Sequence, residues 1–170
     1  MKSSIQEIAR IHPDRIAIID GEQHLTYEDF NGLIQNMAAI LDNYNVQKGD
    51  RIGILSDNSF LFAVIFFAAQ RSSFILVPLH RRRTREQWQE QIETVSCKLV
   101  LVDDAGEEIL RPSRFRIINL KTLETEARKH NAQFQGIDKN KDGDAVIIFT
   151  SGSTGTPQPV RLTWRNIDAN

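Results

Sequence analysis

Four short apolar runs constrain the fold of this chain more than any other feature. They are Arg51-Ile52-Gly53-Ile54-Leu55, Phe74-Ile75-Leu76-Val77, Lys98-Leu99-Val100-Leu101-Val102 and Ala145-Val146-Ile147-Ile148-Phe149. A strand with one face in water alternates in polarity; one that is apolar at consecutive positions has to be covered on both faces. Helical patterns separate the runs, an order that belongs to parallel strands joined by crossover helices. The expected fold class is therefore α/β: three layers, a mainly parallel sheet with helices on both faces. Phe115-Arg116-Ile117-Ile118-Asn119 reads as one more strand.

The connecting segments carry their own signals. Arg15–Asp20 and Gln23–Thr26 flank Gly21-Glu22 as a hairpin would. Thr26 with Asp29 forms a capping box with Asp in place of Glu, opening a helix whose apolar positions are Phe30, Leu33, Ile34, Met37, Ala38 and Leu41. Phe60 to Ala69 is apolar nearly throughout and stops at Gln70-Arg71, far short of the roughly 20 residues a membrane span needs. It follows three N-cap candidates, Ser56, Asp57 and Asn58, and reads as a core helix. Pro78 closes the second apolar run, since it has no N–H for a ladder. Thr84 with Gln87 is a second capping box, for a helix to about Val95, and Leu120 to His130 carries a shorter helical pattern. The polar stretch from Asn131 to Asp144 reads as a loop.

Composition excludes several classes of function. With 170 residues the chain suits one domain. Its 21 Lys and Arg against 22 Asp and Glu leave a net charge of −1, so no nucleic-acid partner is expected. The single cysteine, Cys97, can form neither an internal disulfide nor a cysteine-rich zinc site; it reads as a buried structural thiol. His12, His24, His80 and His130 have no metal-ligand spacing. Met1-Lys2-Ser3-Ser4-Ile5-Gln6-Glu7 has no apolar core like that of a signal peptide, and a cytoplasmic location is expected.

Chemistry concentrates after the last apolar run. Thr150, Ser151, Gly152, Ser153, Thr154 and Gly155 place four hydroxyls and two glycines in six positions at the end of a strand. Glycine lets backbone amides approach a ligand closely, successive N–H groups form an anion nest, and the hydroxyls add rotatable donors. That composition fits a polyphosphate cradle; it equally fits a surface turn between strands. It is not a Walker loop, because Pro157 stands where the second glycine belongs, and it contains no G-x-S-x-G nucleophile elbow.

Thr150 to Pro157 resembles the phosphate-binding signature of the adenylate-forming superfamily, the AMP-forming acyl-CoA synthetases and their relatives. Other blocks resemble the same family in the same order: Pro13-Asp14 with Asp20-Gly21, Leu25-Thr26-Tyr27-Glu28-Asp29-Phe30, Val46 to Leu55 with Asp57-Asn58-Ser59, and Val77-Pro78-Leu79 before Thr84-Arg85-Glu86. The compact spacing, and the loop exit before Thr163-Trp164-Arg165-Asn166, are most similar to the 2-succinylbenzoate–CoA ligases of menaquinone biosynthesis. Fatty acyl-CoA synthetases and peptide-synthetase adenylation domains are the other members the pattern allows.

The resemblance implies an enzyme that activates a carboxylic acid with ATP and Mg2+, forming an acyl-adenylate and pyrophosphate before a thiol such as coenzyme A displaces AMP. It implies that Thr150, Ser151, Gly152, Ser153, Thr154 and Gly155 contact the β- and γ-phosphates. Two residues depart from the family pattern: Gln158 and Pro159 replace the usual Lys-Gly, so a positive charge is lost and the loop exit is stiffened. The chain is expected to be the N-terminal ATP-binding subdomain over residues 1–170, without the adenine-binding segment, the acyl pocket and the C-terminal domain. It would then be inactive alone, and no catalytic residue or metal ligand can be assigned within it. The competing reading is a free-standing binding or assembly module without catalysis.

Two further features read as solvated. Asp138 to Gly143 matches the first half of a calcium loop, but Phe149 stands where the loop needs Glu. His80-Arg81-Arg82-Arg83 with Arg85 is a basic cluster, read as a solvated loop, with a coenzyme A phosphate as the alternative contact.

Overall fold

The structure, a computed structural model, describes residues 4–131, 141–150 and 157–169. A short helix, α1 (Ile5–Ile11), precedes an antiparallel hairpin of β1 (Ile16–Asp20) and β2 (Gln23–Thr26), with Gly21 at φ +59° in the turn. The predicted capping box then opens α2 (Tyr27–Asn43). Thr26 Oγ1 accepts the Asp29 N–H at 3.1 Å, and the Asp29 carboxylate accepts the Thr26 N–H at 3.2 Å. All six predicted apolar positions of α2 are buried, joined by Ile40.

The remaining elements alternate as the apolar runs required. They are β3 (Arg51–Leu55), α3 (Phe60–Ser72), β4 (Ile75–Pro78), α4 (Arg85–Thr94), β5 (Leu99–Val102), α5 (Asp104–Leu110), β6 (Ile117–Asn119), α6 (Leu120–Lys129), β7 (Asp144–Thr150), β8 (Gln158–Thr163) and α7 (Trp164–Asp168). Six strands form one sheet in the order β6-β5-β3-β4-β7-β8. Every pair in it is parallel except β7 with β8.

Successive strand residues point to opposite faces, and two cores result. Ile52, Ile54, Leu76, Leu99 and Leu101 join α2, α3 and α6 in one; Leu55, Val77, Val100 and Val102 join Trp88 and Ile92 of α4 and Leu110 of α5 in the other. Gly53 belongs to the second face, where a Cβ would come within 3.3 Å of the Val100 side chain. The architecture is three-layer α/β.

Details differ from the sequence reading. Ser59, rather than Ser56, Asp57 or Asn58, caps α3, because its backbone is extended and its side chain accepts the Phe62 N–H. Asp20 of the hairpin takes the Phe60 N–H at 2.9 Å, tying the hairpin to that helix start. Phe74 precedes β4 and is fully buried, while Pro78 is the last residue of β4, opposite Ile54 of β3. The second capping box is present, and α4 ends at Thr94 with Val95 as its cap. Helices α1, α5 and α7 and strand β8 were not anticipated. Of the stretch 131–144, residues 132–140 lie outside the described residues, and so does the first half of the calcium-loop match. The strand β7, not a helix, follows that match, and Asp142 pairs with Arg165 at 2.7 Å.

Candidate functional site

Strands β3 and β4 are neighbours, yet their connections leave toward opposite faces: α3 packs in the first core and α4 in the second. Loops that diverge in this way open a crevice at the carboxyl ends of the strands, the usual ligand position in open α/β sheets. A cleft of about 420 Å³ occupies that place. Ile54, Phe62, Pro78, Leu79, Ile148 and Phe149 give it apolar walls, with Ser56, Asp57, Asn58, His80, Arg81, Arg83 and Gln91 supplying polar groups.

Strand β7 carries its end to the same edge. Thr150 is its last residue, exposed, with Oγ1 3.4 Å from the Gln158 carbonyl across the β7–β8 pair. Ser151, Gly152, Ser153, Thr154 and Gly155 lie outside the described residues. On either side of them, β7 and β8 are antiparallel neighbours, and Ile148 and Phe149, just before Thr150, line the cleft. Gln158 and Pro159, which depart from the family pattern, sit in β8 opposite Thr150 and Phe149.

The basic cluster lies in a loop that is only partly solvated: His80 and Arg82 are exposed, while Arg81, Arg83 and Arg85 are half-buried. Arg81 lies between two carboxylates: its Nε is 2.6 Å from Asp57 Oδ1, a contact of charges rather than an aligned hydrogen bond, and its NH2 meets Asp103 Oδ2. Asp103 Oδ2 also accepts the Asp57 N–H at 3.2 Å, and Oδ1 accepts the Gly106 N–H at 2.8 Å. The guanidinium thus ties the loops after β3, β4 and β5. Arg85 donates to the carbonyls of Arg111 and Pro112 beyond α5. Trp88, buried on α4, donates its indole N–H to the His80 carbonyl at 2.9 Å. Of the cluster, Arg83 is a cation lining the cleft with no carboxylate within ion-pair distance among the described residues.

Gln91 is the cleft residue the sequence reading missed. It is 4% exposed, and its Oε1 has no hydrogen-bond partner among the described residues. Only a glutamine on the buried stripe of an otherwise polar helix signals it, one helical turn beyond Trp88. Cys97 lies far from this chemistry, between α4 and β5; burial pushes its thiol up to about 12, opposed by the Arg51 charge and a hydrogen bond from Gly53. Among the described residues there is no group of three or more His, Cys, Asp or Glu side chains able to hold a metal, and no helix is long and apolar enough to cross a membrane.

Comparison with known proteins identifies the family and the fold. The chain is 29% identical over 160 residues to the PKS-NRPS hybrid synthetase acdB of Aspergillus candidus, covering 93% of the chain and 6% of that protein. It is 27% identical over 162 residues to a 2-succinylbenzoate–CoA ligase of Geobacillus sp. (strain WCH70), covering 95% of the chain and 32% of that protein. The o-succinylbenzoate CoA synthetase of Bacillus subtilis, solved with its acyl-adenylate intermediate, superposes with a TM-score of 0.81 at 23% identity, over 94% of this chain and 42% of that one. The chain therefore spans less than half the length of each of these proteins. The sequence profile of the family described as AMP-binding enzyme matches residues 5–170, and the chain belongs to that family.

Proposed function

We propose that this chain is the phosphate-binding part of an acid–thiol ligase, one that activates a carboxylic acid with ATP and passes the acyl group to a thiol. The observation that carries the reading is the delivery of Thr150 to the carboxyl edge of the sheet, beside the cleft between β3 and β4, at the head of a hydroxyl- and glycine-rich loop. Pyrophosphate leaving the α-phosphate needs its charge met by preorganised donors. Thr150, Ser151, Gly152, Ser153, Thr154 and Gly155 supply them to the β- and γ-phosphates. Mg2+ neutralises phosphate charge when bound. Among the described residues no group of three or more His, Cys, Asp or Glu side chains would hold the ion by itself, so any hold on it would come from single oxygen donors such as the Thr150 hydroxyl together with the nucleotide. The cleft takes the acyl-adenylate side of the reaction or the arm of coenzyme A, with Arg83 facing its phosphates.

The Geobacillus and Bacillus relatives support 2-succinylbenzoate as the acid, while the acdB synthetase, at similar identity, keeps a carrier-protein thiol open as the acceptor. The test is ATP–pyrophosphate exchange by the whole protein containing this chain, over a panel of acids that includes 2-succinylbenzoate. Acid-dependent exchange is the expected result, with none from the 170-residue chain alone. Ser151→Ala should slow adenylation more than thioester formation. Equal loss in both half-reactions would contradict the pyrophosphate role, and no exchange with any acid would leave the binding-module reading in its place.

A further inference from the structure

We propose that Arg81 is a positioning residue that makes the cleft mouth acceptable to anions by cancelling Asp57 and Asp103. The inference rests on the reading that the cleft receives a phosphate-bearing ligand. Three adjacent strands, β5, β3 and β4, each end in a loop that brings one of these charges to the same edge. Asp57 and Asp103 are close enough for the backbone N–H of one to reach the carboxylate of the other at 3.2 Å. Among the described residues no other cation lies within ion-pair distance of either carboxylate. Both Asp57 and Arg81 line the cleft, so their charges face whatever enters it.

The two pairs differ in setting. The Asp57 side chain is 79% exposed, and a pair that open to water contributes little to folding, whereas Arg81 and Asp103 are both largely buried and form the pair that holds the loops together. The field is another matter. With Arg81 present, Asp57 and Asp103 are offset by Arg81 and Arg83 at the mouth. Without Arg81, two carboxylates stand against one cation at the cleft mouth. A cleft concentrates such a field, and it acts on every charge of the ligand. The arginine fork also fixes both carboxylates at once, which a point charge cannot do.

The test uses inorganic pyrophosphate as probe, titrated calorimetrically into the chain, with thermal unfolding recorded for each variant. Arg81→Gln should weaken binding by roughly tenfold, the scale of one uncancelled charge acting on a multiply charged anion at close range. Asp57→Asn in the Arg81→Gln background should restore most of that affinity, and Asp57→Asn alone should tighten binding. Arg81→Lys should retain more affinity than Arg81→Gln. Unchanged binding in Arg81→Gln, a loss the double variant does not recover, or no pyrophosphate binding by the native chain would each overturn the proposal. Should Arg81→Gln fail to fold, Asp57→Asn alone decides: affinity equal to or below that of the native chain overturns it. Pyrophosphate binding that follows Arg81 in a whole protein without ATP–pyrophosphate exchange would sink the ligase reading and leave this inference standing; exchange indifferent to Arg81 would do the reverse.

Discussion

Gln91 and Trp88 sit one turn apart on α4, both buried, and show how differently a polar side chain can be accommodated. Trp88 places its N–H on the His80 carbonyl; Gln91 leaves Oε1 without a partner. An unmade hydrogen bond on a buried carbonyl costs about 1–3 kcal/mol. Gln91→Met keeps the length and removes that burden, so it should raise stability by about 1 kcal/mol, read as a higher denaturant midpoint with an unchanged slope. A lower midpoint would mean that the amide is satisfied in the folded protein. Cys97 gives a pH-dependent counterpart. Its thiol is held up to about 12 from an ordinary 9.0, chiefly by burial, so the folded state keeps the proton longer than the unfolded one. The contribution is complete below pH 9 and is lost as pH rises from about 9 toward 12, by at most about 1.4 kcal/mol per pH unit. Denaturation midpoints of native and Cys97→Ala protein across that window should converge as pH rises. Parallel curves would show that Cys97 ionises equally in both states.

Among the elements, α5 depends on a glycine in a way that α2 does not. A Cβ at Gly106 would lie 2.7 Å from the Leu55 carbonyl oxygen, at the end of β3, while a Cβ at Gly32 in α2 would meet nothing within 4 Å. Gly106→Ala must push α5 off the sheet and should cost about 1–3 kcal/mol. Gly32→Ala should instead gain up to about 1 kcal/mol from helix propensity. Paired chemical unfolding separates them; equal effects would show that α5 yields without cost. The same contrast explains what could be read in advance. Helix α2 buries a stripe of seven residues behind a capping box, and both signals are written in the sequence. Helix α1 buries none of its residues and α7 only Trp164, so neither has a stripe to find. Helix α5 hides a buried glycine among acidic residues. Strand β8 contains Pro159, which ordinarily argues against a ladder, and is tolerated here because β8 is outermost in the sheet. The hydroxyl- and glycine-rich segment from Thr150 to Gly155 could be singled out because its residues are contiguous. The Asp57–Arg81–Asp103 arrangement was not, because its members are 22 to 46 positions apart and meet only once β5, β3 and β4 lie side by side.

For the whole molecule, the sheet closes differently at its two ends. Strand β6 has three residues, too short to template another chain, whereas β8 has six and is the outermost described strand on the other side. Its Val160 lies opposite Ile148 of β7, and both residues are 42% exposed, so an apolar pair borders an edge that no other described strand covers. Such edges invite pairing with a second chain unless something interrupts their donors. Pro159 provides the interruption, since it has no N–H to offer, and Arg161 adds a charge two residues on, paired with Asp144 at 3.4 Å. Pro159→Val restores the donor and places a β-former beside Val160, lengthening the usable edge without touching either core. The variant should keep its far-UV spectrum and yet associate at concentrations where the native chain does not, seen as a rise in mass by light scattering. A second substitution, Val160→Lys, should return it to the native mass by charging the same edge. Association that Val160→Lys does not reverse would place the sticky surface elsewhere, and unchanged mass in Pro159→Val would mean that the edge is protected by more than its proline.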